Sequence, residues 1–395
     1  TPGIEQSFKA KRGDWLYTAL PRRVLAHRET LKQQAASLRF ELPTLQSQDD
    51  LLTFDLPPVE VIDMRAELTQ GNTSPLSRTL QEHLRQTLEA RQQAILFLNR
   101  RGKATYVFCR HCGASLRCPN DDQALVWHGA NSGLLCHVCG YSRKMPQKCP
   151  HCGSSQIRQL GLGTARLEEI VKAKFPQARV LRWDADTTKN KGDHELILSH
   201  FSAHRADILI GTQMLAKGLD LPLVTLVGII LAEVGLNLPD YRAAERSFQV
   251  LTQVSGRAGR SPLGGRVVLQ TYQPDHYVIQ TAAKQDYDAF YKEELEQRRV
   301  LGYPPFSRLI RLEYRSLNAQ KAASEAKKLA LELRELIEGE DLNQPELIGP
   351  LPSYYPILYG YWRWQIVLKG PDPQSLLPLL RLKSWQVEID PVSLL

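Results

Sequence analysis

Residues 207–222 read DILIGTQMLAKGLDLP, a short apolar strand pattern that runs straight into a polar loop. Strand and helix patterns alternate on either side of this stretch, over residues 59–107 and 154–300. Short hydrophobic runs that alternate with longer amphipathic segments are typical of a parallel sheet covered by helices. The sequence therefore predicts an α/β fold, and we call these two ranges the parallel-sheet domain.

A cysteine-rich segment, residues 108–153, interrupts the parallel-sheet domain. All seven cysteines of the 395-residue chain lie in it. Six of them form CxxC pairs, which are Cys109/Cys112, Cys136/Cys139 and Cys149/Cys152. The seventh, Cys118, has Asp121 where the second cysteine of a pair would stand. Two intervening residues let both thiolates of a pair reach one ion, so the pattern indicates zinc. We call this segment the cysteine module and predict that it is a zinc-binding insertion.

The net charge of +8 is concentrated around the cysteine module. Residues 100–160 hold nine Lys or Arg side chains, Arg100 and Arg101 among them, and two Asp side chains. A basic patch on one module is the electrostatic footprint of a polyanion, most often nucleic acid. A merely solvated surface is the alternative interpretation of the same charges.

The overall composition is that of a globular protein, with 43% hydrophobic and 23% charged residues. The most apolar stretch, residues 221–238, contains Pro222 and Glu233. These interruptions predict a buried strand and loop, and no membrane span. Clustered thiols that hold metal are typical of the reducing cytoplasm, so we expect a cytoplasmic protein.

Residues 301–395 show another pattern, which predicts a small α+β unit that we call the C-terminal domain. Its strand patterns lie at residues 308–314, 364–369 and 385–390, and its helical patterns at 321–338 and 373–382. At the other end of the chain, residues 23–39 have helical spacing, and the prolines of residues 42–58 indicate a linker.

The motif QVSGRAGR, residues 253–260, is sharper than any other outside the cysteine module. It places Arg257 and Arg260 three residues apart, and its glycines permit close backbone approach. Paired arginines that face a nucleotide stabilise charge on the transferring phosphoryl group. The alternative is a helix end that carries cations near its negative pole.

The loop motif of residues 211–218 precedes QVSGRAGR by about 40 residues, and NRRG stands upstream at 99–102. Together they resemble motifs IV, V and VI of superfamily 2 helicases, which share a second RecA-like lobe. Further motifs narrow the resemblance to one family of these helicases. They are the interrupting CxxC array, GLGT at 161–164, DADT at 184–187 and PDYRAAER at 239–246. The whole chain is similar to the PriA family of primosomal replication-restart helicases, also called primosomal protein N′.

The resemblance implies roles for residues of three kinds. The phosphoryl-stabilising pair would be Arg257 and Arg260. The nucleotide contacts would come from Gln253, Gly256, Gly218 and Asp220, and the DNA contacts from Thr212, Gln213, Lys217, Arg100 and Arg101. The implied domains are the end of lobe 1 and a linker (1–58), lobe 2 (59–107 and 154–300), the zinc module (108–153) and a DNA- or partner-binding domain (301–395).

The chain departs from the family pattern at the nucleotide site. It contains no GxxxxGK[ST] sequence and no DExH box, which hold phosphate and Mg²⁺ in such motors. Its first residues, TPGIE, resemble the end of motif III. We therefore expect the chain to be the C-terminal portion of the family protein and to be inactive as an ATPase by itself.

A second departure concerns the metal ligands. The family pattern has eight cysteines in two nested zinc sites, in which the outer CxxC pairs share one ion and the inner pairs share the other. This chain has seven cysteines. The resemblance assigns Cys109, Cys112, Cys149 and Cys152 to an outer site. It assigns Cys118, Cys136 and Cys139 to an inner site that lacks one thiolate. Asp121 is a candidate fourth ligand, His128 and His137 are rivals, and an empty inner site is a further possibility.

The resemblance implies that the full-length protein is an ATP-dependent 3′–5′ DNA helicase that binds Mg²⁺ and two zinc ions. It would recognise stalled or branched replication forks, bind single-stranded DNA, and assemble a primosome as a monomer near the nucleoid. Its implied partners are the single-stranded-DNA-binding protein and the proteins that load the replicative helicase. The competing hypothesis is a non-catalytic zinc-ribbon adaptor that binds nucleic acid through a degenerate lobe. A zinc hydrolase is disfavoured, because four thiolates form a closed structural site.

Overall fold

A parallel sheet and an antiparallel sheet organise the described chain. The computed structural model describes residues 1–18, 24–27, 36, 51–53, 56–99, 105–120, 123–127, 133–137, 139–159, 162–212, 221, 224–258, 263–339 and 345–395.

The strands are β1 (Val24–His27), β2 (Leu51–Thr53), β3 (Val59–Asp63), β4 (Gln93–Leu98), β5 (Thr105–Cys109), β6 (Val126–Trp127), β7 (Leu134–Leu135), β8 (Ser142–Arg143), β9 (Ile157–Gln159), β10 (Val180–Trp183), β11 (Ile208–Gly211), β12 (Val224–Ile230), β13 (Arg266–Thr271), β14 (Arg308–Ser316), β15 (Glu346–Leu358), β16 (Tyr361–Gly370) and β17 (Trp385–Ile389). The α-helices are α1 (Ile4–Lys11), α2 (Met64–Thr69), α3 (Arg78–Glu89), α4 (Thr164–Lys174), α5 (Asp193–Ser202), α6 (Ala243–Ala258), α7 (Tyr277–Lys284), α8 (Tyr287–Val300) and α9 (Ala319–Gly339). Two 3₁₀ segments cover Ala232–Asn237 and Pro373–Leu379.

The six strands of the parallel-sheet domain lie in the order β10-β11-β4-β12-β13-β3, and every neighbouring pair is parallel. All residues of the central strands β4 and β12 are buried. Their near-continuous apolar sequences are what a sheet with helices on both faces requires. Helices α5, α6, α7 and α8 pack on one face, and α3 and α4 pack on the other. The predicted α/β architecture is confirmed.

The cysteine-rich strands leave the parallel-sheet domain after β4 and return before α4. They form a sheet of order β8-β7-β6-β5-β9. The first strand and the last strand of this excursion, β5 and β9, pair antiparallel, with Val107 opposite Gln159. The chain therefore enters and leaves the cysteine module at adjacent points, as an insertion does.

The C-terminal domain is an antiparallel sheet of order β15-β16-β14-β17, with α9 packed on one face. On its other face, Leu309 and Val367 pack with Tyr303 and Tyr241. The sequence patterns correctly predicted β14, β16, β17 and α9 but missed β15. Three prolines in β15 reduce its strand signal, and prolines are tolerated here because β15 lies at the sheet edge.

Two further sequence expectations need correction. Residues 24–27 of the expected helix at 23–39 form β1, which pairs antiparallel with β2. A neighbouring strand supplies backbone partners that helical spacing cannot reveal. The linker expected at 42–58 contains β2, and the rest of both ranges is described in part only.

Helix α1 packs against the parallel-sheet domain. Ile4 is fully buried in the core that includes α6 and α8, and Glu5 forms an ion pair of 2.5 Å with Arg242. Phe8 contacts Phe306 edge-on at 5.6 Å. The first residues of the chain are thus integrated into the domain that follows.

Helix α8 contains a buried ionic cluster centred on Arg298. Its guanidinium is 2% exposed and lies 2.7 Å from both the Glu294 and the Glu245 carboxylates. It also donates a hydrogen bond to the carbonyl of Pro304. Burial raises the pKa of Glu294, although the Arg298 charge acts against this effect. The cluster ties α6 to α8 and was not foreseen from the sequence.

His276 caps helix α7, and this role requires a neutral ring. Its Nδ1 accepts a hydrogen bond of 3.2 Å from the Val278 amide. Burial, and then the Arg117 charge, lower the pKa of His276 to about 4. Because the folded pKa lies below the unfolded value, the contribution to stability is present above about pH 6.5 and is lost as the pH falls towards 4.

We expect His276→Asn, which keeps a capping group but does not titrate, to change the acid sensitivity of folding. Between pH 7.5 and pH 5 the parent chain should lose roughly 2 kcal/mol more stability than the variant. Urea unfolding at the two pH values measures this difference. Equal losses in parent and variant would show that His276 does not titrate as described.

Candidate functional site

Four thiols converge at the base of the cysteine module. Sγ of Cys109 lies 3.7 Å from Sγ of Cys152, and Sγ of Cys112 lies 3.8 Å from Sγ of Cys149. All four sulfurs lie within 4.8 Å of one another. Sulfurs about 2.3 Å from a tetrahedral zinc ion are about 3.8 Å apart. The donor set therefore has the chemistry and spacing of a closed zinc site.

The CxxC turns share one backbone arrangement. The amide of Gly113 donates to the carbonyl of Cys109, and the amide of Gly153 donates to that of Cys149, both at 2.8 Å. These glycines have φ values of +78° and +71°, in the left-handed region where a side chain is strained. The turn that begins at Cys136 closes in the same way. Each pair of thiols is thus aimed by a rigid turn.

The protonation state of the outer thiols depends on a metal ion. Burial raises the pKa of Cys112 to about 12 and raises that of Cys109, whereas a hydrogen bond from the Ser154 amide lowers that of Cys152. A bound cation would favour the thiolates and release protons. Without an ion, burial would keep the thiols of Cys109 and Cys112 protonated.

A second cluster contains the other three thiols. Cys118, Cys136 and Cys139 lie within 4.8 Å of one another, with 3.3 Å between the sulfurs of Cys118 and Cys139. The Cys118 amide donates to the carbonyl of Gln123, as the Cys109 amide does to that of Ala114. The Cys118 amide therefore has the same type of backbone partner as the first cysteine of a CxxC pair, although the second cysteine is absent from the sequence.

Of the three candidate fourth ligands of the inner site, the structure describes one. Asp121 and His128 lie outside the described residues. His137 is described and does not belong to the three-thiol group. Its ring contacts that of Tyr354 edge-on, with 5.5 Å between centroids. The structure therefore gives no support to His137 as the fourth ligand.

The outer turn is fixed to the parallel-sheet domain beyond the carboxyl end of β13. Arg110 Nε donates to the Tyr272 hydroxyl at 3.0 Å. Gln273 Nε2 donates to the carbonyl of Gly113 at 3.2 Å and to Ser115 Oγ at 3.1 Å. A methyl group on Gly113 would lie 2.0 Å from the Tyr272 carbonyl oxygen. Sequence patterns did not indicate the docking residues Tyr272 and Gln273.

The carboxyl edge of the parallel sheet holds several polar residues. Thr212 follows β11 and is half-buried, and Asn99 follows β4 and donates to the carbonyl of Ala232 at 3.1 Å. Asp184 follows β10 and accepts from the Thr164 hydroxyl at 2.5 Å. Burial alone would raise the pKa of Asp184. The pKa is nevertheless lowered by this bond, by the amides of Thr187 and Asp186, and by the charge of Arg182. Adjacent parallel strands bring these polar ends together.

Six of the predicted DNA-contact and nucleotide-contact residues lie outside the described part of the chain. They are Arg100, Arg101, Gln213, Lys217, Gly218 and Asp220.

Residues 253–258 of the QVSGRAGR motif form the end of α6. Gln253 is exposed, whereas Gly256 and Arg257 are buried, the arginine with 7% of its surface accessible. Arg260 lies outside the described residues. Because α6 leads from the carboxyl end of β12 to the amino end of β13, Arg257 and Thr212 belong to opposite edges of the sheet. Residues 213–218 of the loop motif lie outside the described residues, so only its beginning is placed relative to Arg257.

The aromatic residues near the hairpin of β15 and β16 divide into two groups. Tyr354 is buried against His137, and Trp364 is half-buried within the sheet. Tyr359, Tyr361 and Trp362 are 91%, 44% and 36% exposed at the hairpin turn. Those three are accessible for base stacking.

Family comparisons agree with this architecture. Residues 155–262 match the helicase conserved C-terminal domain, and residues 299–392 match the primosomal protein N C-terminal domain. With its parallel sheet, the larger domain is the RecA-like C-terminal lobe of a superfamily 2 helicase. The chain belongs to the replication restart protein PriA family and represents its C-terminal part.

Two curated relatives illustrate the match. The chain is 43% identical over 351 residues to replication restart protein PriA of Synechocystis sp., covering 86% of this chain and 42% of that protein. It is 44% identical over 337 residues to PriA of Bacillus subtilis, covering 85% of this chain and 41% of that protein. The chain thus spans less than half the length of these relatives.

Among solved structures, S. cerevisiae Dbp5 bound to RNA and ADP BeF3 is 12% identical, covering 70% of this chain and 52% of that chain, with a TM-score of 0.30. Within the described residues, no helix has the length and apolar character needed to span a membrane.

Proposed function

We propose that the chain is the C-terminal part of an ATP-dependent 3′–5′ DNA helicase that restarts replication at stalled or branched forks. The observation that carries the proposal is the identity of 43% to a PriA protein across most of this chain. The helicase C-terminal match within the parallel-sheet domain supports the same function.

The proposal assigns the two edges of the sheet to different tasks. Thr212, which follows β11 on the carboxyl edge, would contact a DNA backbone together with Gln213, Lys217, Arg100 and Arg101. Arg257 and Arg260 would stabilise the γ-phosphate, and Gln253, Gly256, Gly218 and Asp220 would complete the ATP and Mg²⁺ site with the remainder of the full-length protein.

The cysteine module would hold zinc and support DNA binding. The thiols of Cys109, Cys112, Cys149 and Cys152 fit one zinc ion, and three thiols remain for a second. Zinc here supplies folding energy to a small core that consists partly of the cysteines themselves. Single-stranded-DNA-binding protein and helicase-loading proteins are the proposed partners of the full-length helicase.

We predict that the purified chain does not hydrolyse ATP, because its sequence contains neither a phosphate-binding loop nor a DExH box. Phosphate release measured with and without single-stranded DNA should equal the background. An Arg257→Ala variant is the matched control for contaminating ATPase, since contamination is unaffected by this change. DNA-stimulated release that disappears in the variant would contradict the prediction.

Binding to forked and to linear duplex DNA tests the DNA-binding part of the proposal. We expect the chain to prefer forked DNA, to bind more weakly at higher salt, and to weaken further after removal of zinc. Equal binding to both DNAs favours the non-catalytic adaptor, and an absence of binding would contradict both functions.

A further inference from the structure

The two thiol clusters face different parts of the protein. The outer turn, Cys109–Gly113, lies on Tyr272 and Gln273 of the parallel-sheet domain through hydrogen bonds of 3.0–3.2 Å. The inner turn, Cys136–Gly140, faces β15 of the C-terminal domain. Each cluster therefore supports its own contact surface.

The contact between the inner turn and β15 is close and buried. His137 and Tyr354 are 6% and 4% exposed, and their rings meet edge-on. A methyl group on Gly140 would lie 2.9 Å from Cδ2 of Leu351, which is 9% exposed. Such close packing requires the turn to hold one shape.

The shape of the inner turn depends on its ligands. His137 and Gly140 lie within or next to the Cys136–Cys139 pair, so an ion shared by these thiols with Cys118 fixes both contact residues. Cys136 and Cys118 belong to the small buried core of the module, in which four of the nine buried residues are cysteines. Metal binding and the shape of the contact surface are therefore coupled.

The two sites are unequal as metal ligands. The outer site offers four thiols, and the inner site offers three, of which Cys139 is exposed. A fourth ligand that is oxygen or water binds zinc less strongly than a thiolate does. A chelator should thus remove the inner ion before the outer one.

We propose that the inner site is a metal-dependent clasp, which holds β15 of the C-terminal domain on the cysteine module while the outer site independently holds the module on the parallel-sheet domain. The inference rests on the proposal that both clusters bind zinc. It adds that loss of the inner ion releases β15 from the module, while the C-terminal domain stays packed on Tyr241 and the module stays attached to the parallel-sheet domain.

Matched serine variants separate the two sites. Cys139 and Cys152 are each the exposed second cysteine of a CxxC turn, in the inner and the outer cluster respectively. Cys139→Ser should lower the zinc content by one ion and accelerate amide hydrogen exchange in residues 346–358. Coupling between sites typically changes an equilibrium by roughly 5- to 150-fold, and we expect an acceleration in that range. Exchange in residues 267–273 should stay unchanged.

In Cys152→Ser, by contrast, exchange should rise at residues 267–273 as well as within the module. Unchanged protection of β4 and β12 in both variants shows that the parallel sheet remains folded.

Two further variants test the clasp at positions other than its cysteines. Leu351→Ala leaves all thiols in place but should speed removal of one zinc ion by a chelator, because coupling is reciprocal. Asp121→Cys supplies the eighth cysteine and should slow that removal and protect β15. Zinc content is measured by mass spectrometry of the native protein.

The proposal is overturned if Cys139→Ser loses an ion without any change in β15, or if the parent chain binds one ion only. Both outcomes are independent of DNA binding, so they leave the proposed helicase function standing. A chain that binds two ions and shows the clasp but fails to bind DNA would contradict the proposed function instead.

Discussion

Replacement of Cys149 by serine is expected to unfold the cysteine module while the parallel sheet stays folded. Cys149 is 3% exposed in the module core, and its sulfur lies 3.8 Å from that of Cys112. Structural zinc contributes on the order of 10–16 kcal/mol to the folding of small zinc domains. Loss of one of four thiolates removes much of this energy and leaves a buried hydroxyl group.

The variant should lose the outer zinc ion and the amide protection of residues 105–159. Hydrogen exchange and metal analysis measure both effects, and protection in β4 and β12 should persist. Ser142→Ala, a change at an exposed position in the same module, serves as the control and should behave like the parent chain. A zinc content and protection in Cys149→Ser equal to those of the control would show that the outer thiols do not hold the module together.

Replacement of Arg298 by methionine is expected to cost about 3–5 kcal/mol of stability, the typical effect of breaking a buried ion pair. The change keeps the apolar stem but removes the charge that Glu294 and Glu245 share, at 2.7 Å from each. Both carboxylates are more than 90% buried and would retain uncompensated charge. Urea unfolding at pH 7.5 measures the loss.

The adjacent Arg299 provides a matched control. It pairs with Glu296 at the surface, where both side chains are more than half exposed. Arg299→Met should cost less than about 0.5 kcal/mol. As the pH falls, protonation of the buried carboxylates should narrow the gap between Arg298→Met and the parent chain. Similar effects of the two substitutions would contradict the assigned role of the buried cluster.

Local patterns predicted the parallel-sheet domain well because its strands are buried on both faces. The run of residues 224–230 is apolar except for Thr225, and no other element of this length suits such a run between helices. Edge strand β15 was missed for the opposite reason, since its prolines suppress the signal while a single neighbour suffices to pair it. Sequence patterns are informative where burial is complete and weak where prolines interrupt an edge strand.

The Arg298 cluster and the module contacts could not be predicted from spacing. Arg298 and Glu245 are 53 residues apart, and Gln273 and Gly113 are 160 residues apart. Such pairs depend on the tertiary arrangement of whole helices and loops. The thiol sets, in contrast, agree with the nested arrangement that the family resemblance implied. The roles of Lys217 and Arg260 remain predictions.

The antiparallel pairing of β5 with β9 has a consequence for the history and engineering of this fold. Strands paired in this way lie about 5 Å apart, a gap that a two-residue turn can close. The residues between Val107 and Gln159 form a cassette, which means a segment that could be removed without changing the order or direction of the strands in the parallel sheet. Recombination could therefore graft this cassette onto a plain RecA-like lobe, or delete it, in one event.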